Sequence, residues 1–274
     1  MMQRMPVLFI GHGNPMNALD DNVFTRSWAT LVDEVPIPRA ILVISGHWLT
    51  RGVAVTAMEQ PRTIHDFGAF PRALFEVQYP APGSPEIARE IAQALAPASV
   101  KMDLTWGLDH GAWSVLVHAY PNAQIPVLQL SIDVTQPLAY HYEMGQRLRA
   151  LRDCGILIIG SGNVVHNLGA MDWSRPERVF DWAERFQSLV RQSIEDGAEQ
   201  RKLVDFPKLG LDAQRSIPSA DHYLPLLYVL GSRDASDTVA FSTPVCIHGS
   251  LSMLSFSFTP TKQRAVAESD AIMA

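Results

Sequence analysis

Four short runs of the chain are apolar almost without interruption: residues 7–10, 40–45, 125–131 and 155–160. Each is rich in Val, Ile and Leu and lacks polar alternation, the signature of strands covered on both faces. A fifth run, 52–57, follows the second across the turn Thr50-Arg51-Gly52. Residues 249–258 (GSLSMLSFSF) alternate Ser with apolar residues, and that period of two predicts a strand with one wetter face.

Helical spacing fills the intervals. Ser84 reads as an N-cap and Pro85 as the first helical residue, with Ile87, Ile91 and Leu95 on one face. Longer helices are predicted over 136–151 (Leu138, Met144, Leu148, Leu151) and 176–194 (Phe180, Ala183, Phe186, Leu189, Val190), and shorter ones over 114–120 and 223–230. This alternation predicts an α/β fold: a single domain over 1–259 with a central mostly parallel or mixed β-sheet covered by helices on both faces. Residues 260–274 read as a polar tail, frayed or disordered. Residues 61–85, rich in Pro and aromatics, predict a long ordered loop of the kind that often carries function.

Composition narrows the chemistry. A length of 274 residues suits one α/β domain, and 47% hydrophobic with 18% charged residues excludes a disordered chain. The net charge of −6, with no block of Lys or Arg, argues against nucleic acid or an anionic membrane as partner. No apolar run approaches the roughly 20 residues that span a bilayer, and the N-terminal run is too short for a signal peptide, so a cytoplasmic protein, monomer or small homo-oligomer, is expected. The 2 cysteines, Cys154 and Cys246, have no CxxC spacing and read as buried thiols. Any metal must then be held by nitrogen and carboxylate ligands, which gives weight to the 9 histidines.

Position singles out some of these. His12 follows the first predicted strand, His47 the second, and His166 the run at 155–160. In open α/β sheets ligands bind beyond the carboxyl ends of strands. One histidine in such a place is ordinarily a core or surface residue; three, each with glycine close by, predict rings that converge on one sheet edge. Neutral imidazoles suit Zn, Fe and related metals. His110 precedes a predicted helix, and His222 lies at another helix N-terminus, where the positive helix end favours the neutral ring. His65 reads as a lid residue or as an imidazole paired with a carboxylate. His118, His141 and His248 are assigned structural roles. No HExxH, GxSxG or dinucleotide fingerprint occurs.

Seven motifs, in order, then carry a resemblance: GHGNPMN (11–17), SGHW (45–48), IHDFGAFP (64–71), YPAPGSP (79–85), WGLDHGAW (106–113), GSGNVVHNL (160–168) and DHYLPLLYVLG (221–231). Together they resemble the DOPA-dioxygenase-type class III extradiol ring-cleavage dioxygenases over about residues 5 to 258. The resemblance implies a non-haem metal, usually Fe(II), and cleavage of a catechol by dioxygen beside its two hydroxyls, giving a muconic semialdehyde. It implies His12, His47 and His222 as metal ligands, His166 as catalytic base or fourth ligand, and His110 as a catalytic hydrogen-bond donor to substrate or oxygen. His65 and Tyr223 would contact substrate. The broader superfamily often uses two His and one carboxylate; here the third motif position is His222, so three neutral ligands are expected and Zn(II) is expected to be able to occupy the site. Two other readings stay open on the residues alone: a zinc hydrolase built on the same histidines, and a non-enzymatic binding module of the same fold.

Overall fold

Alternation inside the apolar runs decides how the layers form. In the computed structural model, which describes residues 3–261, the first run is strand β1 (Val7–Gly11). Val7 and Phe9 enter one core layer, and Leu8 and Ile10 the other. The chain continues through α1 (Val23–Asp33), β2 (Ala40–Thr50), β3 (Val53–Thr56), α2 (Arg72–Glu76), α3 (Pro85–Ala94), β4 (Val100–Asp103) and α4 (His110–Ala119). Next come β5 (Val127–Asp133), α5 (Leu138–Leu148), β6 (Ile156–Gly162), α6 (Asp181–Asp196), α7 (Leu211–Ser216) and α8 (Leu224–Ser232). Strands β7 (Asp237–Ser242), β8 (Cys246–Ile247), β9 (Leu251–Ser252) and β10 (Ser255–Pro260) close the fold.

Eight strands form one mixed sheet in the order β4-β3-β5-β2-β6-β1-β10-β7, and β8 and β9 pair separately. The inner four, β5, β2, β6 and β1, are parallel and buried along most of their length. Such strands need cover on both sides. Helices α3, α5 and α8 cover one face, and α1 and α4 the other. The fold is therefore the expected single α/β domain. Glycines let α8 approach the sheet: a Cβ on Gly160 would lie 2.7 Å from the Pro225 carbonyl oxygen.

Several elements depart from the sequence pattern. β4 and β7 lie at or near the sheet edges, where half-exposed, polar-rich strands lack the apolar run of a central strand. α1 is started by Asn22, whose side chain accepts the backbone N–H groups of Phe24 and Thr25, while Thr25 completes the capping box. The helix expected from 176 starts at Asp181, because residues 176–180 are bonded to the segment at 248–249. Residues 249–258 form two strands, β9 and β10, separated at Met253 and Leu254. Cys246 is buried, but Cys154 is exposed, since it ends a 3-10 turn just before the chain reverses at Gly155 (φ +77°). The expected polar tail lies, from residue 262 on, outside the described residues.

Candidate metal centre

Parallel β1, β2 and β6 bring their carboxyl ends to one edge, and the candidate side chains gather there. His12 follows β1 directly. His47 lies where β2 bulges: the four residues between Ile44 and Leu49 stand opposite the single Ser131 between Leu130 and Ile132 on β5. A bulge re-aims side chains locally, and here it turns the Ser45–Trp48 segment over the edge. His222 arrives on the turn before α8. Its backbone lies against the end of β6, where the Asn163 N–H donates to the His222 carbonyl at 2.8 Å. That approach needs glycine, because a Cβ on Gly162 would stand 2.2 Å from the same oxygen.

Three rings converge through the same atom. Nε2 of His47 lies 3.2 Å from Nε2 of His12 and 3.2 Å from Nε2 of His222. The other nitrogens face acceptors. The Ser161 hydroxyl donates its only proton to the Gly111 carbonyl (2.5 Å), so its oxygen can only accept from the Nδ1–H of His12 (3.0 Å). Nδ1 of His47 lies 3.6 Å from Asp66 Oδ2, and Nδ1 of His222 lies 3.2 Å from Asp221 Oδ1. With protons drawn to Nδ1, three Nε2 lone pairs point at one another, which is unfavourable until a cation lies between them. Spacings of 3.2 Å are also close to the ~3.3 Å edge of a tetrahedron built with metal–nitrogen bonds of about 2.0–2.1 Å. The residues fit a metal ion. Two neighbouring clusters, His47-Asp66-His110 and His166-Asp221-His222, are ring–carboxylate pairings that share members with the first.

Electrostatics keep His12 and His47 neutral. Burial, followed by the neighbouring imidazoles, lowers the pKa of His12 and His47 well below the ordinary histidine value. For the carboxylates burial pushes upward, but hydrogen bonds outweigh it. The His110 ring and backbone hold Asp66 below its usual range, and His222 and Ser219 do the same for Asp221. Both are therefore ionised at neutral pH, each beside a candidate ligand.

His166 and His110 flank this cluster. His166 stacks flat on His222, with centroids 3.6 Å apart and planes at 5°, and is not among the three converging rings. Burial and then His222 lower its pKa to about 3. His110 opens α4, whose N-cap Asp109 accepts from Ala112 N–H. Asp66 Oδ1 accepts both the His110 backbone N–H (2.9 Å) and its Nδ1–H (3.0 Å), and the His110 ring centroid lies 3.9 Å from that of His47. All five imidazoles line one cavity of about 240 Å³, walled by apolar side chains including Phe67 and Phe70.

Two expected contacts differ. His65 stands behind the wall: its Nε2 bonds the Val77 carbonyl at 3.0 Å and its ring packs on Trp113 and Phe67. Tyr223 is 1% exposed, packs on Phe206 and donates its hydroxyl to the Leu203 carbonyl (2.9 Å), so it is a core residue beneath the site, since Cβ directions at adjacent helix positions diverge. His248, expected to be only structural, lines the cavity. Sequence reasoning also missed Asp66 and Asp221, although each sits beside a histidine in a motif, and Ser161 and Trp173, for which no local signal exists.

The fold and site together define an α/β protein with an all-imidazole candidate metal centre at the carboxyl edge of its sheet. The family model for the catalytic LigB subunit of aromatic ring-opening dioxygenase matches residues 6–256, and the chain belongs to that family of extradiol ring-opening enzymes, which use a non-haem metal. It is 50% identical over 258 residues to the 4,5-DOPA dioxygenase extradiol of Escherichia coli K12, covering 92% of this chain and 94% of that protein. A protein of the same name from Beta vulgaris is 36% identical, over 92% and 96%. The crystal structure of an uncharacterized Escherichia coli K12 protein superposes with a TM-score of 0.80 at 45% identity, covering 93% of this chain and 100% of that one.

Proposed function

We propose that the chain opens the ring of a DOPA-like catechol with dioxygen, giving a muconic semialdehyde, at an Fe(II) ion held by His12, His47 and His222. The observation that carries this reading is the convergence of three Nε2 lone pairs on one wall of an apolar cavity. When bound, the metal supplies Lewis acidity that lowers the catechol hydroxyl pKa and a redox centre for dioxygen. Zn(II) suits the same donors and would compete for the site in purified protein.

The chain's own residues supply the rest. The substrate ring is held between the imidazole wall and Phe67 and Phe70, which exclude water. His166 is neutral and, among the described residues, has no hydrogen-bond partner at either ring nitrogen, so it can accept the second catechol proton. An anionic substrate beside it raises its basicity. Its flat stacking on His222 favours the role of base over that of a fourth ligand. His110 is fixed by two bonds to Asp66 and presents a hydrogen-bonding ring edge to the cavity. His65 acts indirectly, by supporting Phe67 and Trp113.

The test loads metal-free protein with Fe(II) anaerobically, adds DOPA, then admits oxygen. A yellow ring-opened product in stoichiometric excess over enzyme is expected. Protein that retains one equivalent of iron and opens no catechol would overturn the assignment.

A further inference from the structure

We propose that Trp173 and His248 form a subsite for a substrate ammonium at the mouth of the cavity, so that the enzyme selects catechols whose side chain carries a protonated amine. This rests on the catechol reading above and deepens it.

Both residues line the same cavity as the imidazole cluster, and their ring centroids are 5.3 Å apart. His248 has a left-handed backbone (φ +49°), a conformation uncommon for any residue but glycine and enriched at ligand sites. Four backbone hydrogen bonds hold it against the loop that carries Trp173: Asp172 N–H to the His248 carbonyl, His248 N–H to Pro176, Gly249 N–H to Arg178, and Phe180 N–H to the Gly249 carbonyl. The rim is thus preorganised before substrate arrives.

The chemistry of the rim selects a cation. Nδ1 of His248 lies 3.3 Å from the Asp172 carbonyl oxygen, which can only accept, so the geometry selects the Nδ1–H tautomer, whose acceptor nitrogen is Nε2. Trp173 is 62% exposed, so its indole face is open, and indole is the strongest cation-binding ring among the side chains. Among the described residues no Lys or Arg side chain lines the cavity, so a substrate carboxylate finds no counter-charge there. The carboxylate of Asp172, the residue before Trp173, is occupied by Arg175 and Arg178 at 2.8 and 2.9 Å. An acceptor nitrogen and a π-face therefore remain as the recognition elements of this end.

Three catechols that differ only in side chain test the proposal: dopamine, 3-(3,4-dihydroxyphenyl)propionate and 4-ethylcatechol. Their dissociation constants are measured by calorimetry on metal-loaded protein without oxygen, so the readout does not depend on turnover. Dopamine should bind about tenfold more tightly than the other two. Trp173→Leu should cut the preference of dopamine over 4-ethylcatechol to about twofold. His248→Asn, which tolerates the left-handed backbone but shortens the acceptor, should lose part of the preference. Dopamine binding no better than 4-ethylcatechol, selectivity that survives Trp173→Leu, or no measurable binding of any of the three would each overturn the subsite. A protein that opens no catechol but keeps the dopamine preference would overturn the proposed reaction and leave the subsite standing.

Discussion

Asp66→Asn replaces one carboxylate oxygen by an NH2 group and should weaken metal binding without unfolding the protein. The carboxylate has two tasks: Oδ1 accepts two N–H groups from His110, and Oδ2 faces Nδ1 of His47 at 3.6 Å. An amide can keep only one of them. If its oxygen stays with His110, its NH2 group faces His47 and donates to Nδ1, moving the proton of that ring to Nε2, where the metal would bind. Loss of such an outer partner costs about 10–100-fold in metal affinity, or roughly 1.4–2.7 kcal/mol. If the amide flips, the NH2 group instead confronts two His110 donors, and leaving two donors unmet costs about 1–3 kcal/mol each. The first orientation is therefore the cheaper. A competition titration of Zn(II) against a chromophoric chelator at pH 7.5 should show the loss, with the melting temperature of metal-free protein nearly unchanged. Affinity within twofold of the parent would refute the tautomer argument. Loss of melting temperature with unchanged affinity would show that the flipped orientation wins.

His222→Ala should abolish stoichiometric metal binding, whereas His166→Ala should keep most of the metal and lose roughly 10²–10⁴ in turnover, measured by metal analysis and catechol assay on the same preparations; loss of metal from the latter would make His166 a ligand. Because burial and neighbouring rings hold the pKa of His12 and His47 well below 6.5, protonation of these two rings should not reduce Zn(II) affinity between pH 8 and 6.5; a fall steeper than about tenfold per pH unit over that range in the chelator titration, more than one proton can cause, would contradict their neutrality. His141 is buried in α5, bonded to the Tyr228 hydroxyl of α8 (3.1 Å), and burial lowers its pKa to about 4. The unfolded chain then binds the proton first, and stability is lost as pH falls from 6.5 towards 4; His141→Gln should recover about 2–3 kcal/mol of the difference between urea titrations at pH 7 and 4.5.

How much of this was legible in the chain depended on whether a residue's role was local. The uninterrupted apolar runs identified the four central strands because cover on both faces removes polar alternation, and the Ser84-Pro85 cap marked a helix start because capping is settled within one turn. Topology made it readable that His12, His47 and His166 gather at one edge, since parallel strands share one carboxyl edge. The third converging ring, however, is that of His222, which arrives on the turn before α8 and was marked only by its place at a helix start and by the motif resemblance. The edge strands β4 and β7 were hidden because half-exposed strands carry no apolar run. Tyr223 was misjudged because adjacency in a motif says nothing about face: His222 turns to the cavity and the next side chain turns into the core. Ser161, Trp173 and His248 act through contacts 50 or more residues away in sequence, with Gly111 or with each other's segments, and a single chain holds no trace of such pairings.

The absence of a carboxylate at the third ligand position takes on a different meaning in three dimensions. Asp66 and Asp221 lie one imidazole further out, beside Nδ1 of His47 and His222. Neither contact is a formed hydrogen bond, but the charge of each carboxylate favours a proton on the nearby Nδ1 and so leaves Nε2 as the donor atom. On the proposed reading, negative charge would act through the ligand rings and no carboxylate would take up a coordination position. Three neutral donors would then leave the remaining positions and the full charge of a divalent ion facing the cavity, where an anionic catecholate would bind. Moving a carboxylate inward, as in His222→Glu, should therefore preserve metal binding but weaken the affinity for catechol, measured by calorimetry without oxygen; equal catechol affinity in that variant would show that the outer placement of the carboxylates has no role in substrate binding.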